Sequence, residues 1–142
     1  MTDRITKQRR SWNMSRIRAK DTKPELAVRS LLHRLGFRFR IHVRRLPGCP
    51  DIVLPKLRTV VFINGCFWHR HRNCKFAYSP KSRKRFWADK FEANVVRDRQ
   101  WQRNLKKLGW TVHVIWECQT RDLGSLDKAI RQMFPVEARK VN

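Results

Sequence analysis

The run Gly65-Cys66-Phe67-Trp68-His69-Arg70-His71-Arg72-Asn73-Cys74 crowds two thiols, two imidazoles and two large aromatics together, and Cys118 follows far downstream in Trp116-Glu117-Cys118. Thiolate and imidazole are the ligands zinc prefers, and four of them in tetrahedral array make a closed structural site. The spacing Cys66-x4-His71-x2-Cys74 fits no standard finger. The alternative is a pair of buried thiols with surface histidines. Clustering in a glycine-led loop, with the distant cysteine at a strand end, favours a zinc ion held by Cys66, His71, Cys74 and Cys118. His69 is then left over, a spare imidazole fixed beside a metal knot and a candidate for proton transfer. Cys49 is the odd cysteine and reads as a free thiol.

Asp51 follows Leu46-Pro47-Gly48-Cys49-Pro50, a turn, and opens a short strand. Alone, a turn aspartate more often caps its own backbone. Its company changes the weighting: Glu25 on a preceding helix, His69 after the next strand, and Asp98 on a long helix. Three acids and a histidine converging is the outfit for metal-assisted phosphodiester hydrolysis, with Mg²⁺ on the carboxylates and His69 shuttling or orienting the proton of the attacking water. Glu25 can serve as a capping-box acid as well. Phe67 and Trp68 either bury into the core or form a wedge that inserts between base pairs. Their neighbours Arg70 and Arg72 favour the wedge, with Trp87 joining it.

These residues need elements to hold them. Thr22 as N-cap, Pro24 in the first turn and Glu25 three residues on predict a helix to about Leu35, burying Val28, Leu31, Leu32 and Leu35 and stopped by Gly36. Phe37 to Val43 alternates apolar with basic or polar residues, the pattern of a half-buried strand. Asp51–Leu54 is a short strand and Arg58–Ile63 a central one. From about Pro80 to Leu108 the pattern is helical, with the stripe Trp87, Phe91, Val95, Asp98, Trp101 or Gln102, Leu105 and Leu108. Asp98 breaks that apolar stripe, so its carboxylate needs a partner. Trp110–Trp116 is a strand and about Ser125–Met133 a last helix. The order α-β-β-β-α-β-α predicts an α/β fold, a mixed central sheet flanked by helices. Residues 1–20 read as a basic arm with Trp12, Met14 and Ile17 as docking points, and 21–142 as one domain with a frayed tail from Pro135.

Composition narrows the partner. The 142 residues carry 34 Lys+Arg against 11 Asp+Glu, a formal net charge of +23. Such an excess goes beyond solubility and calls for a polyanion. No long apolar run or separate basic amphipathic helix points to a membrane, so nucleic acid is favoured. Six tryptophans and eight phenylalanines exceed the needs of a core, leaving some to stack on bases. Met1–Arg10 has no apolar segment of a secretory signal, and a cytosolic setting keeps thiols reduced, which favours metal binding over disulfides.

The chain resembles the very-short-patch-repair (Vsr) DNA mismatch endonucleases over almost its full length. The carriers are Asn13-Met14-Ser15, Asp21-Thr22-Lys23-Pro24-Glu25, Leu46-Pro47-Gly48 with Pro50-Asp51, Val61-Phe62 through Gly65-Cys66-Phe67-Trp68-His69, Phe86-Trp87, Asn94 with Arg97-Asp98, Leu108-Gly109-Trp110 and Val114-Ile115-Trp116-Glu117-Cys118. The resemblance implies a restriction-endonuclease-like core. It implies Mg²⁺-dependent nicking of one strand, 5′ of the thymine in a T:G mismatch left by 5-methylcytosine deamination. By position, Asp51 and the main-chain carbonyl of Ile63 would hold Mg²⁺, His69 would be the catalytic histidine, and Glu25 and Asp98 would support metal-bound waters and His69. Phe67, Trp68 and Trp87 would be the wedge, and the arm would clasp double-stranded DNA. A monomer is implied, cytoplasmic and nucleoid-associated in a bacterium, working beside a cytosine methyltransferase, mismatch-repair proteins and a DNA polymerase. Four features depart from the family pattern: Asn64 in place of another histidine, Cys49 in place of a basic residue, an extra residue between His71 and Cys74, and no E-x-K at the strand end. Two other readings stay open: the same nuclease fold with a different DNA target, and a non-enzymatic zinc-stapled DNA-binding module.

Overall fold

The computed structural model describes residues 21–135. The basic arm and the last residues of the tail lie outside them. Helix α1 spans Lys23–Arg34, with Thr22 as its N-cap and Pro24 in its first turn, and it buries Val28, Leu31 and Leu32. Three strands follow: β1 (Ile52–Leu54), β2 (Thr59–Asn64) and, after helix α2 (Lys84–Lys107), β3 (Thr111–Trp116). Helix α3 covers Leu123–Met133, capped by Asp122.

The sheet order is β1-β2-β3, so β2 is central. It pairs antiparallel with β1 (Ile52 opposite Val61) and parallel with β3 (Ile63 opposite Ile115), which makes the sheet mixed. Parallel pairing needs a long crossover, and α2 provides it. Period-two alternation then sorts the side chains. Ile52, Leu54, Val61 and Ile115 face α1 and α3 and meet Leu32, Leu126 and Ile130. Val53 and Val60 face the other way and meet Leu105 of α2. The result is three layers, helices on both faces of the sheet.

The strand expected over Phe37–Val43 does not form. Only Arg40 bridges to Val53, through two backbone hydrogen bonds of 2.7 and 2.9 Å. The faces alternate as expected, with Phe37 buried and Arg38, Arg40 and His42 exposed. The ladder stops because His42 adopts φ +58°, which turns the chain out of the extended region. The long helix starts at Lys84, four residues later than expected, after Arg83 at φ +54°. Its stripe holds through Phe91 and Leu105, but Leu108 is exposed.

One glycine locks the site's approach. Gly48 has φ +74°, and a Cβ there would lie 2.8–2.9 Å from the Trp101 side chain. The turn before Asp51 is thereby pressed against α2.

Candidate active site and metal centre

The carboxyl end of β2 runs into Gly65-Cys66, and the candidate residues gather there. Asp51, just before β1, accepts the Ile63 N–H on Oδ2 at 2.7 Å. Burial pushes its pKa up to about 6; the Ile63 hydrogen bond pulls it down, the Glu25 charge raises it, and the charges of His69 and Arg29 lower it. Asp51, Glu25, His69 and Arg29 therefore share one electrostatic neighbourhood. A carboxylate whose charge is this disfavoured gains from a bound cation, and carboxylate and carbonyl oxygens suit a hard one.

His69 lies in the tight turn after Gly65, its N–H donating to the Gly65 carbonyl at 3.1 Å. Its Nδ1 sits 2.5 Å from Asp98 Oδ2. A carboxylate partner favours Nδ1 as the donor of this pair, and Nε2 is the ring nitrogen turned away from Asp98. Both side chains are partly buried, at 30% and 18% exposure. This pair gives Asp98 the partner that its place in the apolar stripe demands. Glu25 projects from the first turn of α1, where Thr22 Oγ1 accepts its N–H at 3.4 Å.

Cys66, His71, Cys74 and Cys118 form the second centre. Their ligand atoms all lie within 4.8 Å of one another. His71 Nδ1 is 3.7 Å from Cys66 Sγ and 3.5 Å from Cys118 Sγ. A tetrahedral zinc with ordinary Zn–S and Zn–N lengths sets its sulfur and nitrogen ligands about 3.6 Å apart. The four residues thus fit a metal. The His71 ring stacks on Trp116 at 4.3 Å and 11°, which fixes its plane. The Cys118 N–H donates to Cys66 Sγ at 3.4 Å. Burial pushes the Cys66 thiol up to about 12 and raises that of Cys118, while burial lowers His71. Against its own burial, Cys74 falls below the ordinary thiol value, drawn down by the Phe76 N–H and the neighbouring thiols. Cys49 is exposed and outside the cluster.

The aromatics collect beside this Cys/His cluster. Phe67 touches Trp68 (5.1 Å), Tyr78 (5.0 Å), Trp87 (5.5 Å) and Phe91 (5.1 Å). Trp68 and Trp87 lie 5.8 Å apart. Asn94 of α2 ties the loop down, donating to the Trp68 carbonyl at 3.1 Å. Arg72 is exposed. Arg70 is not free in the same way: its Nη1 donates to the Tyr78 carbonyl at 3.0 Å, and its guanidinium covers Phe91 at 4.1 Å. Asn64 is buried at the end of β2, opposite Trp116.

Sequence reasoning missed two residues. Tyr78, 63% exposed, extends the aromatic cluster, and only its basic setting hinted at it. Arg29 braces Glu25 one helical turn away, a spacing visible in the sequence but common to ordinary surface pairs.

The family profile described as DNA mismatch endonuclease Vsr matches residues 2–75. The chain is 49% identical over 134 residues to the "Type II nicking enzyme V.XorIIP" of Xanthomonas oryzae pv. oryzae, covering 94% of this chain and 98% of the relative. The chain belongs to the Vsr family of DNA mismatch endonucleases. A second relative, the "DNA mismatch endonuclease Vsr" of Escherichia coli (strain K12), is 41% identical over 133 residues, 93% of this chain and 85% of its own length. The "Type II nicking enzyme V.NmeAIP" of Neisseria meningitidis is 46% identical over 122 residues, 86% of each chain. Membership in the Vsr family makes this chain an enzyme, a nuclease, and sets aside the reading of a zinc-stapled module without catalysis. Among the described residues no helix is long and apolar enough to cross a membrane.

Proposed function

We propose that the protein is a Mg²⁺-dependent endonuclease that nicks one DNA strand 5′ of the thymine in a T:G mismatch, and so begins very short patch repair. The observation that carries the reading is the His69–Asp98 pair at the mouth of β2, in electrostatic reach of Asp51, in a chain of the Vsr family. His69 Nε2 takes or orients the proton of the attacking water, and Asp98 holds the ring and offsets the imidazolium charge. Asp51 and the Ile63 carbonyl would hold Mg²⁺, which supplies charge neutralisation at the scissile phosphate. Glu25 supports the same site from α1. Cys66, His71, Cys74 and Cys118 would hold a structural zinc that pins the loop bearing His69.

Phe67, Trp68 and Trp87 form the wedge that opens the stack at the mismatch. Arg72 meets phosphate, while Arg70 acts indirectly by holding the wedge loop in shape. Residues 1–20, with their basic side chains, clasp the duplex. We read the sheet as the core of a restriction-endonuclease-like fold. The enzyme works as a monomer at the nucleoid, in the cytoplasm, with a cytosine methyltransferase creating its lesions and mismatch-repair proteins and a polymerase completing the patch.

A nicking assay with Mg²⁺ tests this, using duplexes that differ only in T:G, T:A or C:G at one position, in several flanking contexts. The expected result is a nick at T:G alone, lost in Asp51→Ala. Equal cleavage of all duplexes would leave a nuclease of the same fold with another target. Binding without cleavage in any context would overturn the catalytic reading.

A further inference from the structure

Arg29 sits one turn after Glu25 on α1, with its side chain only 13% exposed. Its Nη2 donates to Glu25 Oε2 at 3.1 Å and its Nη1 to Asp21 Oδ1 at 2.7 Å. The Asp21 N–H donates to the same Glu25 Oε2 at 3.1 Å, which closes a ring of three residues. His42 Nε2, 3.5 Å from Asp21 Oδ1, supports the far side.

Helix capping does not account for this arrangement. Thr22 already caps the Glu25 N–H. A capping-box glutamate returns to the N–H of the N-cap residue, whereas Glu25 reaches one residue further, to Asp21. Nor does helix-surface pairing account for it. Exposed pairs four residues apart contribute little, and they do not bury the arginine. Here Arg29 Nε is buried and makes no hydrogen bond among the described residues, which costs stability. Both Glu25 and Arg29 are felt electrostatically at Asp51, with opposite sign.

We propose that Arg29 is a positioning residue of the nuclease, which with Asp21 locks the Glu25 carboxylate in one orientation beside Asp51 and offsets the charge of that carboxylate. Two donors on Oε2 fix the carboxylate plane, so the other oxygen has a set direction. A guanidinium does this with a planar fork and keeps its charge at every working pH; an ammonium supplies the charge without the fork. The inference rests on the role of Glu25 proposed above.

The test compares Arg29→Met, Arg29→Lys, Glu25→Gln and the Glu25→Gln/Arg29→Met double variant, each in the full chain. Three quantities are read: the single-turnover nicking rate on a T:G duplex, the Mg²⁺ concentration at half-maximal rate, and DNA affinity without Mg²⁺. Arg29→Met is expected to slow nicking about 10–100-fold, the usual cost of losing a group that orients a metal-site residue. It should raise the Mg²⁺ requirement and leave DNA affinity unchanged. Arg29→Lys should show the same pattern at smaller amplitude, and it carries the test should Arg29→Met unfold. In the Glu25→Gln background, Arg29→Met should add nothing further. A full additional loss in that background, or a loss confined to DNA affinity, overturns the inference, since either means that Arg29 acts by some route other than Glu25. Wild-type nicking by Glu25→Gln would remove the role of Glu25 itself. An impaired Glu25→Gln beside an unimpaired Arg29→Met would overturn the role of Arg29 alone.

Discussion

His69 and Asp98 stand 29 residues apart in sequence and meet at 2.5 Å, Nδ1 to Oδ2. One comes from the loop after β2, the other from the middle of α2. Their pairing ties the loop to the helix and leaves Nε2 as the ring nitrogen for the proton transfer proposed above. Removing His69 (His69→Ala) is expected to slow single-turnover nicking on the order of 10²–10⁴-fold, the usual worth of a positioned acid or base. Asp98→Ala should slow it less, because the ring survives without its guide. In the His69→Ala background Asp98→Ala should cost nothing more. Independent, multiplicative losses would mean that Asp98 serves the site by another route.

Asp51 makes a prediction with a definite sign. Its folded pKa of about 6 lies above the roughly 3.9 of an unfolded aspartate, mainly because it is buried. The folded protein then holds the proton more tightly than the unfolded chain. Stability contributed by that proton is present below about pH 4 and is lost as pH rises towards 6. Asp51→Asn should therefore raise the melting temperature at pH 7–8 in buffer without added Mg²⁺, abolish nicking, and show no stability gain near pH 4. Added Mg²⁺ should narrow the gap at pH 7–8 by stabilising the wild type alone. Thermal melts of the two proteins across pH, with and without Mg²⁺, check it. A destabilised Asp51→Asn at neutral pH would contradict the burial argument.

Much of this arrangement was legible in the sequence because it rests on local chemistry. Thiols and an imidazole in a glycine-led run, with Cys118 at a strand end, pointed to four ligands that the fold does bring together. Asp98 stood out as an acid in an apolar stripe. Its grouping with His69 was expected too, but which ring nitrogen meets the carboxylate is set by the tertiary fold. Phe37–Val43 kept its alternating faces, yet one positive φ at His42 left a single bridge where period two suggested a strand. Arg70 and Arg72 look alike in the run, but the fold turns Arg70 inwards onto Tyr78 and Phe91 and leaves Arg72 outside. Arg29 was missed because spacing alone cannot tell a buried brace from a surface pair.

Metal removal gives a third expectation. Burial holds the Cys66 thiol near 12, so metal binding must displace protons there. Chelation is expected to release about one zinc per chain, lower the melting temperature and silence nicking even with ample Mg²⁺. Cobalt substitution should give the absorption of a tetrahedral site with sulfur ligands, and Cys118→Ser should weaken metal affinity. Retained stability and activity after complete chelation would show that the four ligands do not need a metal to hold the His69 loop.

Gly48 and Trp101 give the last. A Cβ at Gly48 would lie within 2.8–2.9 Å of three Trp101 side-chain atoms, at a φ of +74° that other residues rarely adopt. Gly48→Ala should therefore cost about 1–3 kcal/mol from overpacking, plus the backbone penalty. Because Gly48 and Asp51 belong to one turn-strand junction, the displaced backbone should also slow nicking. The two contributions separate in a double variant. Trp101→Leu clears the clash but not the φ, so Gly48→Ala should cost less in the Trp101→Leu background than in the wild type, leaving only the backbone part. Denaturant unfolding of the four proteins measures the coupling. Strict additivity would mean that the turn moves away from α2 at no cost, and that the contact does not fix the approach to Asp51.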